Sequence, residues 1–197
     1  MKTIAHACMI FLLSLTACKK DNPSVTQPEH LSKGVLENLL EHNEIVDTVI
    51  LGNNNELELG MRFYSSVKGE ISHIGGKMPS PGKFNVSLWD YASKQLLVSI
   101  VLDNYPDKFT YIDIKDIPAM ANQRFVISVN NVTEGVSRPY YISKKKSSSG
   151  SVYPFNAGNI TYEAFHSKLG ATPLFPDAVT EANQSYVAGY PDIIFKQ

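Results

Sequence analysis

Apolar and polar residues alternate in four stretches of the chain, residues 57–63, 84–88, 96–102 and 125–129. A period of two is typical of a strand with one buried and one solvated face. Antiparallel sheets contain such strands, whereas strands of parallel sheets are apolar throughout. We therefore expect antiparallel strands whose core residues are Leu57, Leu59, Met61, Phe63, Phe84, Val86, Leu88, Leu96, Val98, Ile100, Leu102, Phe125, Ile127 and Val129.

Turn-rich segments separate these stretches, at residues 52–55, 79–82, 103–107 and 130–131. Their Gly, Pro, Asn and Asp residues favour tight turns. About seven to nine strands at this spacing predict an antiparallel two-sheet β-sandwich that resembles a jelly roll. The predicted fold class is all-β.

A helical period appears in residues 32–42, where Val35, Leu36, Leu39 and Leu40 fall on one stripe. Apolar residues at this spacing form one face of an amphipathic helix. We expect one short N-terminal helix that packs on the sandwich.

The first residues have the pattern of a bacterial lipoprotein signal. A positive charge at Lys2 precedes the apolar run 7–13, which is too short to cross a bilayer. The run ends at Leu15-Thr16-Ala17-Cys18, which resembles a lipobox. Residues 1–17 are therefore predicted to be a signal peptide, with Cys18 lipidated. The alternative is an ordinary signal peptide in which Cys18 is incidental.

Residues 18–31 are polar and contain Pro23 and Pro28, so we interpret them as a lipidated cysteine with a flexible tether. The segment 19–22, Lys-Lys-Asp-Asn, resembles the sorting signal of Bacteroidetes surface lipoproteins. This resemblance implies an outer-membrane anchor with the domain facing the exterior. Residues 32–197 are predicted to be a single β-sandwich domain.

Composition narrows the possible partners. The chain is 43% hydrophobic with a formal net charge of -1, which supports a core and argues against nucleic-acid binding. Cys8 and Cys18 both precede the predicted domain, so the domain has neither a disulfide nor a cysteine-based metal site.

Several sequence blocks resemble one bacterial extracellular module, a domain of unknown function with a Leu-Trp-Ser signature. The blocks are residues 57–63, Gly69-Glu70-Ile71, Val86-Ser87-Leu88-Trp89-Asp90, Phe175-Pro176 and residues 190–195. The module occurs in surface proteins and beside carbohydrate-active modules. The resemblance implies a β-sandwich fold and an association with glycans.

Trp89 is the first candidate for a ligand contact. By strand parity it lies on the same face as Asn85 and Ser87, next to Asp90. An exposed ring could stack on the apolar face of a sugar. The alternative is that a loop or the C-terminal segment covers Trp89, and the resemblance favours this packing role.

A second aromatic group flanks the loop at residues 144–151. Tyr140, Tyr141 and Tyr153 could form a rim there, together with Lys144. They could equally be ordinary strand residues. We list them as candidate ligand contacts.

A structural Ca²⁺ is the cofactor that the sequence leaves open. Asp90, Asp103, Asn104 and Asp107 provide oxygen atoms near predicted turns, and Ca²⁺ binds such oxygens. Ordinary turn chemistry explains the same residues.

No catalytic motif is present, and the histidines lack metal-ligand spacing. Glu56 and Glu58 could serve as a glycosidase pair, although a solvated strand face explains them better. We therefore expect a non-catalytic cell-surface lipoprotein that captures glycans. The alternative is a structural or adhesion subunit that binds another surface protein.

Overall fold

The computed structural model describes residues 33–42, 45–52, 55–145, 151–179 and 184–197. The predicted signal peptide, Cys18 and the tether lie outside these residues. By its internal contacts, Ser32–Gln197 forms one compact unit.

The described residues form one helix and fourteen strands, more strands than the spacing of turns predicts. The helix α1 spans Val35–His42, and the strands are β1 (Ile45–Leu51), β2 (Leu57–Ser65), β3 (Gly69–Gly76), β4 (Gly82–Asp90), β5 (Leu96–Asn104), β6 (Thr110–Ala119), β7 (Arg124–Asn130), β8 (Val132–Thr133), β9 (Val136–Ser137), β10 (Tyr140–Lys145), β11 (Phe155–Ala157), β12 (Ile160–Leu169), β13 (Val187–Ala188) and β14 (Pro191–Lys196).

The largest sheet has six strands in the order β11-β12-β2-β7-β4-β5. Two three-stranded sheets, β14-β3-β6 and β1-β10-β13, and the hairpin β8-β9 complete the described part. All the pairings of these strands are antiparallel. The prediction of an all-β, antiparallel, sandwich-like fold with one short helix is confirmed.

One hydrophobic core joins the sheets. Phe63 of β2, Phe84 of β4 and Phe125 of β7 are fully buried on the inner face of the six-stranded sheet. They share the core with Ile71 of β3 and Ile193 of β14. Alternating apolar residues on β2, β4 and β7 therefore lie inside, as their period predicts.

The alternation fails at an edge strand. Leu96 begins β5, the last strand of the six-stranded sheet, and is 48% exposed rather than buried. Val98 and Ile100 are half-buried, and Leu102 is buried. An edge strand packs against a neighbour on one side alone, so its ends stay accessible.

Residues 170–179, which we call the strap, cross the outer face of the same sheet. Gly170 N donates to Glu56 O at 2.9 Å, and Ala178 pairs with Ser167 of β12. Pro176 passes over Gly60, where a Cβ atom would lie 3.0 Å from Pro176 Cγ. The absent side chain at Gly60 thus lets the strap lie close to β2.

No helix among the described residues is both long and apolar enough to span a membrane.

Candidate functional site

The predicted ligand residues do not converge on one surface. Asn85, Trp89 and Asp90 lie on β4, in the six-stranded sheet. Tyr140, Tyr141 and Lys144 lie on β10, in a different sheet. The last of the set, Tyr153, precedes β11.

Trp89 is a packing residue. Its side chain is 6% exposed, and the Phe175 ring of the strap meets it edge-on at 5.9 Å between centroids. The indole Nε1 donates to Ser128 Oγ at 2.9 Å. The interpretation of Trp89 as a solvent-exposed platform is therefore wrong, and the alternative that a C-terminal segment covers it is confirmed.

Glu58 lies under the same strap and is fully buried. Its carboxylate accepts hydrogen bonds from Ser128 Oγ at 2.5 Å and Asn130 Nδ2 at 3.0 Å. Burial raises the pKa of Glu58 to about 7. The expectation of a solvated strand face is wrong here, and Glu58 cannot share an open cleft with the exposed Glu56.

The three tyrosines are buried as well. Tyr140, Tyr141 and Tyr153 are 6%, 4% and 7% exposed. Their rings belong to the core, so they form no open rim, while Lys144 is exposed and Asn85 half-buried. Tyr141 nevertheless matters, because its phenol donates to the carboxylate of Asp107.

Asp90 is remote from the other three residues predicted to hold Ca²⁺. Asp103 pairs with Lys83 at one end of the β4–β5 ladder, and Asp90 lies at the other end. The seven residue-to-residue steps from Lys83 to Asp90 span about 23 Å. Within the described ranges, no three His, Cys, Asp or Glu side chains are grouped to hold a metal ion.

Local structure also occupies the oxygens of these residues. Asp90 Oδ1 accepts from Ser93 N at 2.8 Å, as in an ordinary turn. The buried Asn104 accepts from Met78 N at 3.0 Å and donates to Met78 O at 2.9 Å. Turn chemistry therefore explains Asp90, whereas Asn104 joins the end of β5 to the segment that precedes β4.

A pocket of about 410 Å³ lies beside helix α1. This volume falls within the range of about 300–1,000 Å³ that is typical of small-molecule sites. We call it the helix pocket, and it is lined by Glu37, Thr48, Lys77, Asp107, Phe109 and Tyr190, among others.

Phe109 and Tyr190 form the floor of the helix pocket, where Phe109 is half-buried and Tyr190 is 2% exposed, and further aromatic rings stack behind them. The Phe109 ring lies nearly parallel to Tyr190 at 6.3 Å between centroids and to Tyr111 at 6.2 Å. Tyr190 stacks in turn on Tyr141 at 5.1 Å. Lys77 Nζ lies 5.1 Å from the centre of the Tyr141 ring, so a cation adjoins the stack.

A buried carboxylate positions the helix that walls the pocket. Asp192 of β14 accepts from the backbone N–H groups of Leu36 at 2.8 Å and Glu37 at 2.9 Å. Tyr111 Oη also donates to Asp192, at 2.8 Å. The first turn of a helix carries unpaired N–H donors and favours a negative charge. Burial raises the pKa of Asp192 to about 6.

Two residues that line the pocket have unusual backbone angles. Asp107 has a φ of 62° and Tyr190 a φ of 46°, both in the left-handed region. An aromatic residue rarely adopts this conformation, which costs about 1–3 kcal/mol. The Tyr190 phenol oxygen is within hydrogen-bond distance of the hydroxyls of Ser143 and Thr48, and these contacts help to hold the residue there.

Sequence reasoning missed Lys77, Phe109 and Tyr190 as site residues. They come from three separate parts of the chain, after β3, before β6 and before β14. The cluster Tyr105–Tyr111 holds three aromatic residues next to Asp107 and Lys108, and this mixture was the available signal.

No protein-family model matches this chain, and a comparison with curated proteins gives no match. The resemblance to the Leu-Trp-Ser module therefore stays a prediction.

Proposed function

We propose that this protein is a non-catalytic carbohydrate-binding lipoprotein and that the helix pocket is its ligand site. The observation that supports this most is the half-buried Phe109 ring, which lines the pocket and is backed by the buried Tyr190 ring, next to charged and hydroxyl side chains. A sugar offers an apolar ring face and several hydroxyls, so it needs both kinds of partner.

The carboxylates around the pocket favour binding over catalysis. Glu37 shares the Tyr111 hydroxyl with Asp192, at 3.0 Å from Tyr111 Oη, Glu41 pairs with Lys33, and Asp107 accepts the Tyr141 phenol. A glycosidase needs one carboxyl to deliver a proton and another to attack or to activate water. Carboxylates already engaged by neighbours serve instead as hydrogen-bond acceptors for a ligand.

The predicted signal peptide and lipidation site add a cellular location to the proposal. A lipid on Cys18 would anchor the protein in the outer membrane, and the segment 19–31 would hold the domain away from the lipid surface at the cell exterior. Many copies on one membrane would strengthen the capture of a repeating glycan even where each site binds weakly.

The test is a titration of the purified protein with polysaccharides and with methyl glycosides of common hexoses, followed by calorimetry. Asp107→Asn keeps an acceptor for Tyr141 and tolerates the left-handed backbone, but it removes the charge. We expect about tenfold weaker binding for this variant, equivalent to about 1.4 kcal/mol.

Asp103→Asn is the matched control for Asp107→Asn, because Asp103 is an exposed aspartate on β5. It should bind sugars like the parent protein. Equal affinity of both variants would remove the helix pocket from the proposal. An absence of binding across the whole panel would show that the ligand is not a carbohydrate.

A second candidate function rests on exposed edge strands. Val101 and Leu96 on β5 are 57% and 48% exposed, and Ile50 on β1 is 60% exposed. In the described part of the chain, β5 ends the six-stranded sheet and β1 ends a three-stranded one. Apolar edges can accept a strand from another protein, as an adhesion or structural subunit would require. Failure of the sugar panel would favour this function.

A further inference from the structure

A second pocket, of about 300 Å³, lies between the strap and the six-stranded sheet. We call it the strap pocket, and its lining includes Tyr91, Lys94, His166, Phe175 and Asp177. None of these residues belongs to the helix pocket.

His166 has a buried nitrogen that lacks a partner. The residue is 2% exposed, and its Nδ1 lies 2.9 Å from the carbonyl oxygen of Pro176. A carbonyl can only accept, so Nδ1 carries the proton and donates. Nε2 is buried without a hydrogen-bond partner among the described residues.

The other nitrogen therefore presents a lone pair. Burial lowers the pKa of His166, which keeps the imidazole neutral at pH 7. In the neutral ring with the proton on Nδ1, Nε2 is an acceptor. An unpaired buried acceptor costs about 1–3 kcal/mol, so a ligand that supplies a donor gains from meeting it.

Two aromatic rings stand beside His166. The Tyr91 ring lies 5.9 Å from the imidazole and nearly perpendicular to it, and Phe175 lies 6.3 Å from Tyr91. Arg62 Nη1 donates to Tyr91 Oη at 2.9 Å, and the guanidinium lies 4.8 Å from the ring centre. Tyr91 is thus fixed before any ligand arrives, which reduces the entropy cost of binding.

Charged groups complete the lining. Lys94 Nζ lies 5.6 Å from the centre of the Phe175 ring. Asp177 accepts from Lys168 Nζ at 3.1 Å and retains a second oxygen. Lys94 can donate to a ligand oxygen, and Asp177 can accept from a ligand hydroxyl.

We propose that the strap pocket is a second carbohydrate subsite, in which a sugar hydroxyl donates to Nε2 of His166 and the apolar sugar face lies against Phe175 and Tyr91. The ligand class rests on the proposed function. The position of the subsite and the residues that contact the sugar are inferred from the strap pocket alone.

The experiment follows the imidazole nitrogens of His166 by NMR while methyl glycosides of common hexoses are added to the purified protein. Binding should shift the Nε2 resonance and leave the proton on Nδ1. The unliganded spectrum should show an Nε2 that carries no proton.

Two substitutions of His166 test the roles of Nδ1 and Nε2 separately. In His166→Asn the amide nitrogen takes the place of Nδ1 and still donates to Pro176 O, but nothing reaches the Nε2 position. We expect at least about tenfold weaker sugar binding at this pocket. His166→Gln places a polar atom near Nε2 and should recover part of the affinity. Val136→Ala, at an exposed residue of β9 that lines neither pocket, should stay within about twofold of the parent.

The outcomes distinguish this inference from the proposed function. Shifts at Phe109 and Tyr190 with none at His166 would overturn the strap subsite and leave the helix pocket as the ligand site. Shifts at His166, with full affinity in Asp107→Asn, would support the strap subsite and overturn the helix pocket. A His166 Nε2 resonance that reports a bound water and ignores every sugar at saturating concentration would overturn the inference.

Discussion

Two regions of this protein each bury a carboxylate, but the carboxylate has a different role in each. Asp192 accepts backbone N–H groups from Leu36 and Glu37, so its charge holds the start of a separate element, helix α1. Glu58 accepts from the side chains of Ser128 and Asn130, which belong to the adjacent strand β7. The first arrangement joins two elements, and the second completes one sheet.

The difference explains why one region holds a pocket of about 410 Å³ and the other closes over its tryptophan. A helix held at its first turn leaves a gap between its side chains and the sheet below. Beneath the strap, Trp89, Ser128 and Glu58 form a continuous hydrogen-bonded chain that fills the space beside the smaller strap pocket. The Leu-Trp block is therefore structural, and the candidate ligand chemistry lies at residues without any recognisable motif.

Removing the tryptophan gives the largest expected effect. Trp89→Ala deletes a ring that packs on Phe175 and donates to Ser128, so we expect a loss of about 3–5 kcal/mol in the free energy of unfolding. Urea unfolding followed by far-ultraviolet circular dichroism measures it, since the chain has one Trp and fluorescence would be lost.

Trp89→Phe is the matched control, because it keeps an aromatic ring and loses the indole N–H. Its cost should be well below that of Trp89→Ala. Sugar binding at the helix pocket should survive in the folded fraction of both variants. A loss under about 1 kcal/mol for Trp89→Ala would mean that the strap does not cover the ring in solution.

Strand periodicity predicts the inner face of the sheet well and the outer face poorly. Phe125, Ile127 and Val129 of β7 are buried as their alternation predicts. Val126 and Ser128, on the other face, are buried too, because β7 is a central strand on a covered surface. A local pattern cannot show that a distant segment will cover one face.

The candidate site could be predicted only in part for the same reason. Asp107 and Tyr141 belong to two different groups in the sequence, yet the fold joins them through one hydrogen bond. Strand parity correctly places Trp89 with Ser87, since Ser128, the partner of the indole, is paired with Ser87 across the sheet. The strap that hides Trp89 follows about 80 residues later, at a separation that periodicity does not reach.

The pH dependence of stability sharpens the comparison between the two carboxylates. Burial raises the pKa of Glu58 from 4.5 to about 7, so the folded protein keeps this proton where the unfolded chain releases it. The stabilising contribution is complete below pH 4.5 and is lost as the pH rises through 7. The total loss approaches about 3 kcal/mol. Glu58→Gln, which cannot ionise, should flatten the profile between about pH 4.5 and 7 in urea unfolding.

Asp192 provides the contrast within the same measurement. Its pKa is raised from 3.8 to about 6, so its contribution falls within a lower pH window. Asp192→Asn should flatten the profile most between about pH 4 and 5 and keep the fall between about pH 6 and 7, which belongs to Glu58 alone. If Glu58→Gln leaves the upper part of the profile unchanged, the Glu58 carboxyl reaches solvent and the strap region is not sealed.

Two buried tyrosine hydroxyls give the smallest expected effect and the finest test. Tyr190 Oη bonds to Ser143 and Thr48, whereas Tyr153 Oη is buried without a hydrogen-bond partner among the described residues. Tyr190→Phe should cost about 1 kcal/mol, because it removes satisfied hydrogen bonds and keeps the stacked ring. Tyr153→Phe should be neutral or stabilising, because it removes a polar atom that is buried without compensation.

Urea unfolding of the two variants at one pH compares their stabilities directly. Sugar titration should show weaker binding for Tyr190→Phe alone. The opposite order of stabilities would mean that Tyr153 holds a partner and that the hydroxyl network of the helix pocket does not stabilise its floor.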